Sequence, residues 1–154
     1  MKSDEIDEID RKILRMLQSD GRTSMKMIAD KIGKFSKVAV SYRVRRLIKM
    51  GVIQGFHARI DPDHMNQSFL FITKLTFVRK GPHEALLLKK IASFDGIQSV
   101  FQTFGDYDAV LIGRAADSVA ARDLIDRILR LEGISASTTT ITHTVIKQSL
   151  DVVI

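Results

Sequence analysis

Seven side chains between residues 36 and 46 carry the chemistry of nucleic-acid recognition: Ser36, Lys37, Ser41, Tyr42, Arg43, Arg45 and Arg46. Arginine and lysine neutralise phosphates, and arginine, serine and tyrosine also reach base edges. Residues 22–49 hold nine lysines and arginines but a single acid, Asp30. With so few acids nearby to pair with, these arginines are read as DNA contacts rather than as an ion-paired face. The Ser36 hydroxyl and the N–H groups beside it suit a phosphate. A second group is Gly105-Asp106-Tyr107-Asp108, with Ser137, Thr138, Thr139 and Thr140 further on. A tight turn presents backbone N–H groups and carboxylates together. A free amino acid needs that mixture, donors for its carboxylate and acceptors for its ammonium. Gly and Asp also favour plain turns, and threonine favours strand, so both readings stand side by side.

Other chemistries find little support. The four histidines, His57, His64, His83 and His143, are scattered and match no metal-ligand spacing. Asp61, Asp63 and His64 read as a linker turn. There is no cysteine, which excludes disulfides and thiolate sites. Neither a P-loop nor a G-x-S-x-G occurs. Asp106 and Asp108 as an acid/base pair are explained as well by a turn between strands. No enzyme, cofactor or metal is expected. The rival reading is a metabolic enzyme or small-molecule sensor on a ferredoxin-like fold with incidental basic charge. No apolar run approaches the ~18 residues that span a bilayer, and the acidic N-terminus has no signal-like apolar region. The expected location is the cytoplasm, away from membranes.

The elements that position these residues follow from apolar periodicity. Ile9, Ile13, Met16 and Leu17 make one face of a first helix, with Asp7 as N-cap and Ser19-Asp20-Gly21 as its stop. A second helix begins near Ser24, carries Ile28 and Ile32, and ends at Gly33. A third begins near Ser36, turns Val40, Val44, Leu47 and Ile48 inward, and ends at Gly51. Residues 52–60 read as extended chain, a wing. Asp61-Pro62-Asp63 is a breaker and the expected boundary between a domain at 1–60 and one at 61–154. The charge divides there too. Residues 1–60 carry 14 basic against 7 acidic side chains, and 61–154 carry 10 against 11, for a net of +6.

The second half predicts strands at 69–78, 97–103, 109–112 and 137–146. One helix follows Gly81-Pro82 with Leu87, Leu88 and Ile91; another follows Asp117-Ser118 with Leu124, Ile125, Ile128 and Leu131. The order βαββαβ is the ferredoxin-like arrangement, so the chain is α+β. Its two helices cover one sheet face. The other is expected to meet a second copy of the chain, with Phe69, Phe71, Leu75 and Phe77 supplying apolar surface on alternating sides.

Asp7-Glu8-Ile9-Asp10-Arg11-Lys12-Ile13-Leu14 and Asp20-Gly21-Arg22 resemble the opening of the leucine-responsive/asparagine-responsive regulators, the Lrp/AsnC family. Ser36, Val40, Arg43, Val44, Arg46, Leu47 and Gly51-Val52-Ile53 continue the likeness, as does Gly105-Asp106-Tyr107-Asp108, over about residues 6–146. The resemblance implies a winged helix-turn-helix joined to a ferredoxin-like effector domain, binding double-stranded DNA and regulating transcription, and it leaves open for Arg43 a structural place at the edge of the core in place of a DNA contact. It implies an amino-acid effector held between effector domains by Gly105, Asp106, Tyr107 and Asp108 with Ser137 and Thr139. It also implies a homodimer that assembles to a tetramer or octamer. In this chain the turn Gly33-Lys34-Phe35-Ser36 is one residue longer than the usual spacing. Residues 63–68 lack the usual Leu-Gly after Asp-Pro. The apolar tail from Leu150 to Ile154 either adds a dimer contact or frays.

Overall fold

A computed structural model describes residues 5–78 and 83–154; the expected Gly81-Pro82 turn lies outside them. The chain divides into two compact units. One runs to Arg59 and takes in Gln148–Ile154, and the other is Ile60–Lys147. The expected domain at 61–154 therefore loses its last seven residues to the helical unit, because their backbone bonds to the first helix (described below).

The first unit is three helices, α1 (Glu8–Ser19), α2 (Met25–Ile32) and α3 (Lys37–Lys49). Each starts at a side-chain cap. Asp7 accepts the Asp10 N–H and Asp10 returns the bond in a capping box, while Ser24 and Ser36 accept from Met27 and Ala39. These bonds satisfy donors that the first helical turn leaves open. Ile13, Leu17, Ile28, Ala29, Val40 and Val44 form the core. Ile48, expected inside, is 47% exposed. It sits a quarter turn off the line through Val40, Val44 and Leu47, too far round for a helix with one apolar stripe. The turn between α2 and α3 runs through two successive residues of positive φ, Gly33 (+72°) and Lys34 (+59°). Phe35 then packs against the core.

Among the described residues the wing pairs with no strand. Val52 and Ile53 send their N–H groups back to the Leu47 carbonyl, and no ladder is assigned to residues 54–61. An extended segment becomes a strand only when a neighbour accepts its hydrogen bonds.

The second unit opens with a 3-10 turn, Asp63–Met65, closed by Asn66 at φ +53°. Asn tolerates the left-handed region better than other side chains, which lets it end the turn without glycine. The sheet strands are β1 (Phe69–Phe77), β2 (Ile97–Gln102), β3 (Ala109–Ala115) and β4 (Ile134–Ile141), antiparallel in the order β2-β3-β1-β4. Helices α4 (His83–Ala92) and α5 (Ser118–Leu129) supply Leu88, Ile91, Ala121, Leu124 and Ile128 to the core beneath Phe71, Leu75 and Leu111. Gly113 faces Phe71 across the β1–β3 pair, and a Cβ there would collide with the ring. The last strand begins and ends earlier than the expected 137–146, since β4 needs β1 as partner and β1 begins pairing at Phe71 opposite Ile141.

Alternation along β1 sends Phe69, Phe71, Leu75 and Phe77 all to the helix side, where the last three are buried. None of them serves the other face, contrary to the expectation. The uncovered face is made by the opposite parity: Ile72, Val110 and Ile112 are half-buried and Phe101, beside Val110, is 51% exposed.

Candidate functional site

Helix α3 divides its side chains by the 3.6-residue period. Val40, Val44 and Leu47 are buried, and the opposite side presents Val38, Tyr42, Arg45 and Lys49, spaced four, three and four apart. All four are exposed, Val38 at 77% and Tyr42 at 54%. Lys37 and Ser36 are exposed at the helix start, and Ser41 is half-exposed beside the stripe. The Ser36 hydroxyl oxygen accepts the Ala39 N–H at 3.1 Å, so its acceptor role is taken by the cap.

Arg43 and Arg46 do something else. Arg43 donates to Asp7 at 2.6 Å and to Asp10 at 2.9 Å, and Arg46 donates to the second Asp10 oxygen. Asp10 is fully buried. One carboxylate from α1 thus holds two guanidinium groups from α3, and the Arg43 guanidinium also lies over the Phe35 ring at 5.6 Å. The acids that the local sequence lacked come from 33 and 36 residues away. Arg43 and Arg46 therefore tie α3 to α1 through these carboxylates. Burial alone would raise the Asp7 carboxyl, but the Asp10 N–H and the Arg43 guanidinium outweigh it and hold the group below its ordinary value. The bond to Asp7 in turn raises Arg43. Val38 and Lys49 join Tyr42 and Arg45 on this exposed stripe through the spacing 38, 42, 45, 49 alone.

The expected effector residues flank the end of β1. Asp108 is buried and its Oδ2 accepts the Phe77 N–H at 2.8 Å. Its own N–H donates to the Leu75 carbonyl, and its carbonyl accepts from Thr103. The carboxylate bonds just past the last β1–β3 pair, Leu75 with Ala109, satisfying a donor that the β3 ladder no longer reaches. This is a structural duty at the end of the sheet. Asp108→Ala should destabilise this unit by about 1–3 kcal/mol, with Asp108→Asn, which keeps the acceptor, close to wild type in thermal melts. Asp106 is exposed at the turn tip, after Gly105 at φ +129°. Tyr107 is half-buried, its carbonyl accepting from the Thr103 hydroxyl and its ring 4.8 Å from the Lys74 ammonium.

Ser137 pairs with Leu75, and Thr139 with Thr73, on the helix side of the sheet. Thr139 and the buried Thr73 share a hydroxyl hydrogen bond of 2.9 Å. Lys74, by contrast, leaves β1 on the uncovered face. The fold thus brings the turn and the β4 hydroxyls to opposite edges of β1, with Leu75 accepting from the Asp108 N–H on one side and lying opposite Ser137 on the other. A cleft of about 340 Å³ lined by Ile60, Pro62, Met65, Gln67, Gly96, Ile97, Gln98 and Arg114 contains none of them. Among the described residues no cluster of three or more His, Asp or Glu could hold a metal ion, and no helix is long and apolar enough to cross a membrane.

Residues 6–54 match the family model for winged helix-turn-helix DNA-binding domains, and residues 78–152 match the Lrp/AsnC ligand-binding domain. The leucine-responsive regulatory protein of Klebsiella pneumoniae is 34% identical over 152 residues, 97% of this chain and 92% of that one. An HTH-type transcriptional regulator of Pyrococcus horikoshii is 33% identical over 141 residues, 92% of this chain and 88% of its own. Among solved structures, a feast or famine regulatory protein from M. tuberculosis complexed with L-methionine superposes with a TM-score of 0.85 at 29% identity, covering 96% of this chain and 98% of that one. An AsnC family regulator from Agrobacterium tumefaciens reaches 0.89 at 22% identity, covering 95% of each chain, and shows the shared fold.

Proposed function

The chain belongs to the Lrp/AsnC family of transcriptional regulators, with a helix-turn-helix DNA-binding domain and an amino-acid-binding domain, and on that premise we propose which of its residues do each task. The observation that carries the reading is the outward stripe of α3. Val38, Tyr42, Arg45 and Lys49 enter the major groove, with Ser36, Lys37 and Ser41 at its edge. An apolar contact from Val38, a ring and hydroxyl from Tyr42 and two cations supply both base readout and phosphate neutralisation. The relatives are regulators and not enzymes. Working on chromosomal DNA, this one acts in the cytoplasm.

Asp106 and Tyr107, after Gly105, and Ser137 and Thr139 on β4 take the amino-acid effector, completed by a second copy of the chain. The uncovered face with Ile72, Phe101, Val110 and Ile112 forms a two-fold dimer, which assembles further. A two-fold dimer requires a near-palindromic site with half-sites one helical turn apart or a multiple of it. The M. tuberculosis relative was solved with L-methionine, which makes an apolar amino acid the first ligand to test. Calorimetric titration with the twenty amino acids should give heat for at least one, lost in Asp106→Ala. Anisotropy with operator DNA should show salt-sensitive binding that this amino acid changes. Absence of heat with all twenty would retire the effector site, and binding to DNA unaffected by salt would retire the DNA face. Light scattering of the same preparation should report a dimer or larger.

A further inference from the structure

Residues 148–154 follow the sheet in sequence but bond to α1. Gln18, in the last turn of that helix, uses both ends of its amide on one residue. Its Nε2 donates to the Val152 carbonyl at 2.9 Å, and its Oε1 accepts the Val152 N–H at 3.3 Å. Three residues earlier, Arg15 Nε donates to the Ile154 carbonyl oxygen at 2.9 Å. Residues three apart on a helix share a face, and alternate residues of an extended chain share a side, so the two periods meet here. The Gln18 amide acts on Val152 as a neighbouring strand would. Leu150 and Val153 point outward, 96% and 104% exposed. Val152 is exposed as well and Ile154 is half-buried, so the tail is held mainly through its backbone, an attachment that opens readily.

We infer that the Arg15 and Gln18 face of α1 is a docking site for this extended segment, and that through it the effector unit acts on the DNA-binding helices. This rests on the reading of Ser137 and Thr139 as effector contacts. Nine residues after Thr139 the chain enters the tail at Gln148. The tail bonds α1, and α1 holds α3 through the buried Asp10 carboxylate and Arg43 and Arg46. The route is contiguous: a strand, a covalent segment, a helix and one ion-pair network, ending at the helix that bears the DNA stripe. A weak latch suits this task, since a ligand that displaces β4 by little can release it or tighten it.

The test uses the full-length protein, Gln18→Leu, which removes both amide bonds while keeping a good helix former, and a variant lacking residues 148–154. Hydrogen exchange at the Val152 amide should be slower in wild type than in Gln18→Leu. Without any ligand, both variants should bind a two-half-site DNA about fivefold more weakly than wild type, the low end of coupling between sites. With L-methionine as probe, the change in DNA affinity seen in wild type should vanish in both variants, while the calorimetric heat of methionine binding persists. Equal Val152 exchange in wild type and Gln18→Leu, or a full methionine response in both variants, overturns the latch. If methionine gives no heat with wild type, the exchange and the ligand-free affinities decide alone. Unchanged affinities then reject the docking site, and the fivefold loss supports it independently of the effector reading.

Discussion

Replacing Asp10 by alanine should destabilise the three-helix unit by about 3–5 kcal/mol, the cost of leaving partners of a buried ion pair unmatched. The Asp10 side chain is 0% exposed, and the two arginines it holds are 22% and 27% exposed. All three are too dry for water to replace the lost bonds fully. The same substitution removes half of the α1 capping box, a further loss of about 1 kcal/mol when caps are deleted. Urea unfolding followed by amide exchange in α1 and α3 checks this separately from the sheet unit, since a chain of two units need not unfold in one step. DNA affinity should fall with it, because α3 loses its anchor. A loss below about 1 kcal/mol would mean that the network is solvated and that Arg43 and Arg46 are available to DNA after all.

Arg45→Ala should do the opposite, leaving the melting curve near wild type and weakening DNA binding by about 1–3 kcal/mol, roughly tenfold or more. Arg45 lies on the exposed side of α3, opposite the buried Val40, Val44 and Leu47. If it meets a phosphate, the slope of log affinity against log salt falls by about one; if it meets guanine, discrimination at one base pair relaxes. Tyr42→Ala on the same stripe should shift sequence preference. Arg46→Ala provides the contrast: its affinity loss should track its stability loss. Wild-type binding by both Arg45→Ala and Tyr42→Ala, at unchanged fold, would show that this stripe does not face DNA.

The acid limb of stability follows from the same network. The Asp7 carboxyl is held below its ordinary 3.8, so its contribution is complete above that value and is lost as pH falls through the lower folded value. Asp7 is partly exposed, and solvent screening keeps that contribution small.

Much of this protein is local and so was legible in one dimension. Caps at Asp7, Ser24, Ser36 and Asp117 are bonds between residues two or three apart, and the change of period from helix to strand marks both units and the order βαββαβ. The likeness of residues 6–146 to a known family rests on spacing of the same kind. What tertiary structure alone decided was pairing at a distance. No rule for neighbouring residues assigns Arg43 and Arg46 to a carboxylate 33 and 36 positions earlier; only the packing of α1 against α3 brings them together. Strand parity was equally hidden. Alternation says that Phe71 and Ile72 face opposite ways, but only the packing of α4 and α5 says which of them is covered. The bond from the Phe77 N–H to the Asp108 carboxylate was hidden for the same reason, since the need for an acceptor arises where the β1–β3 ladder ends at Leu75, which exists only once the sheet is formed. The tail, an apolar end in the sequence, found its place through Gln18 because an amide side chain can satisfy a backbone that has no strand beside it.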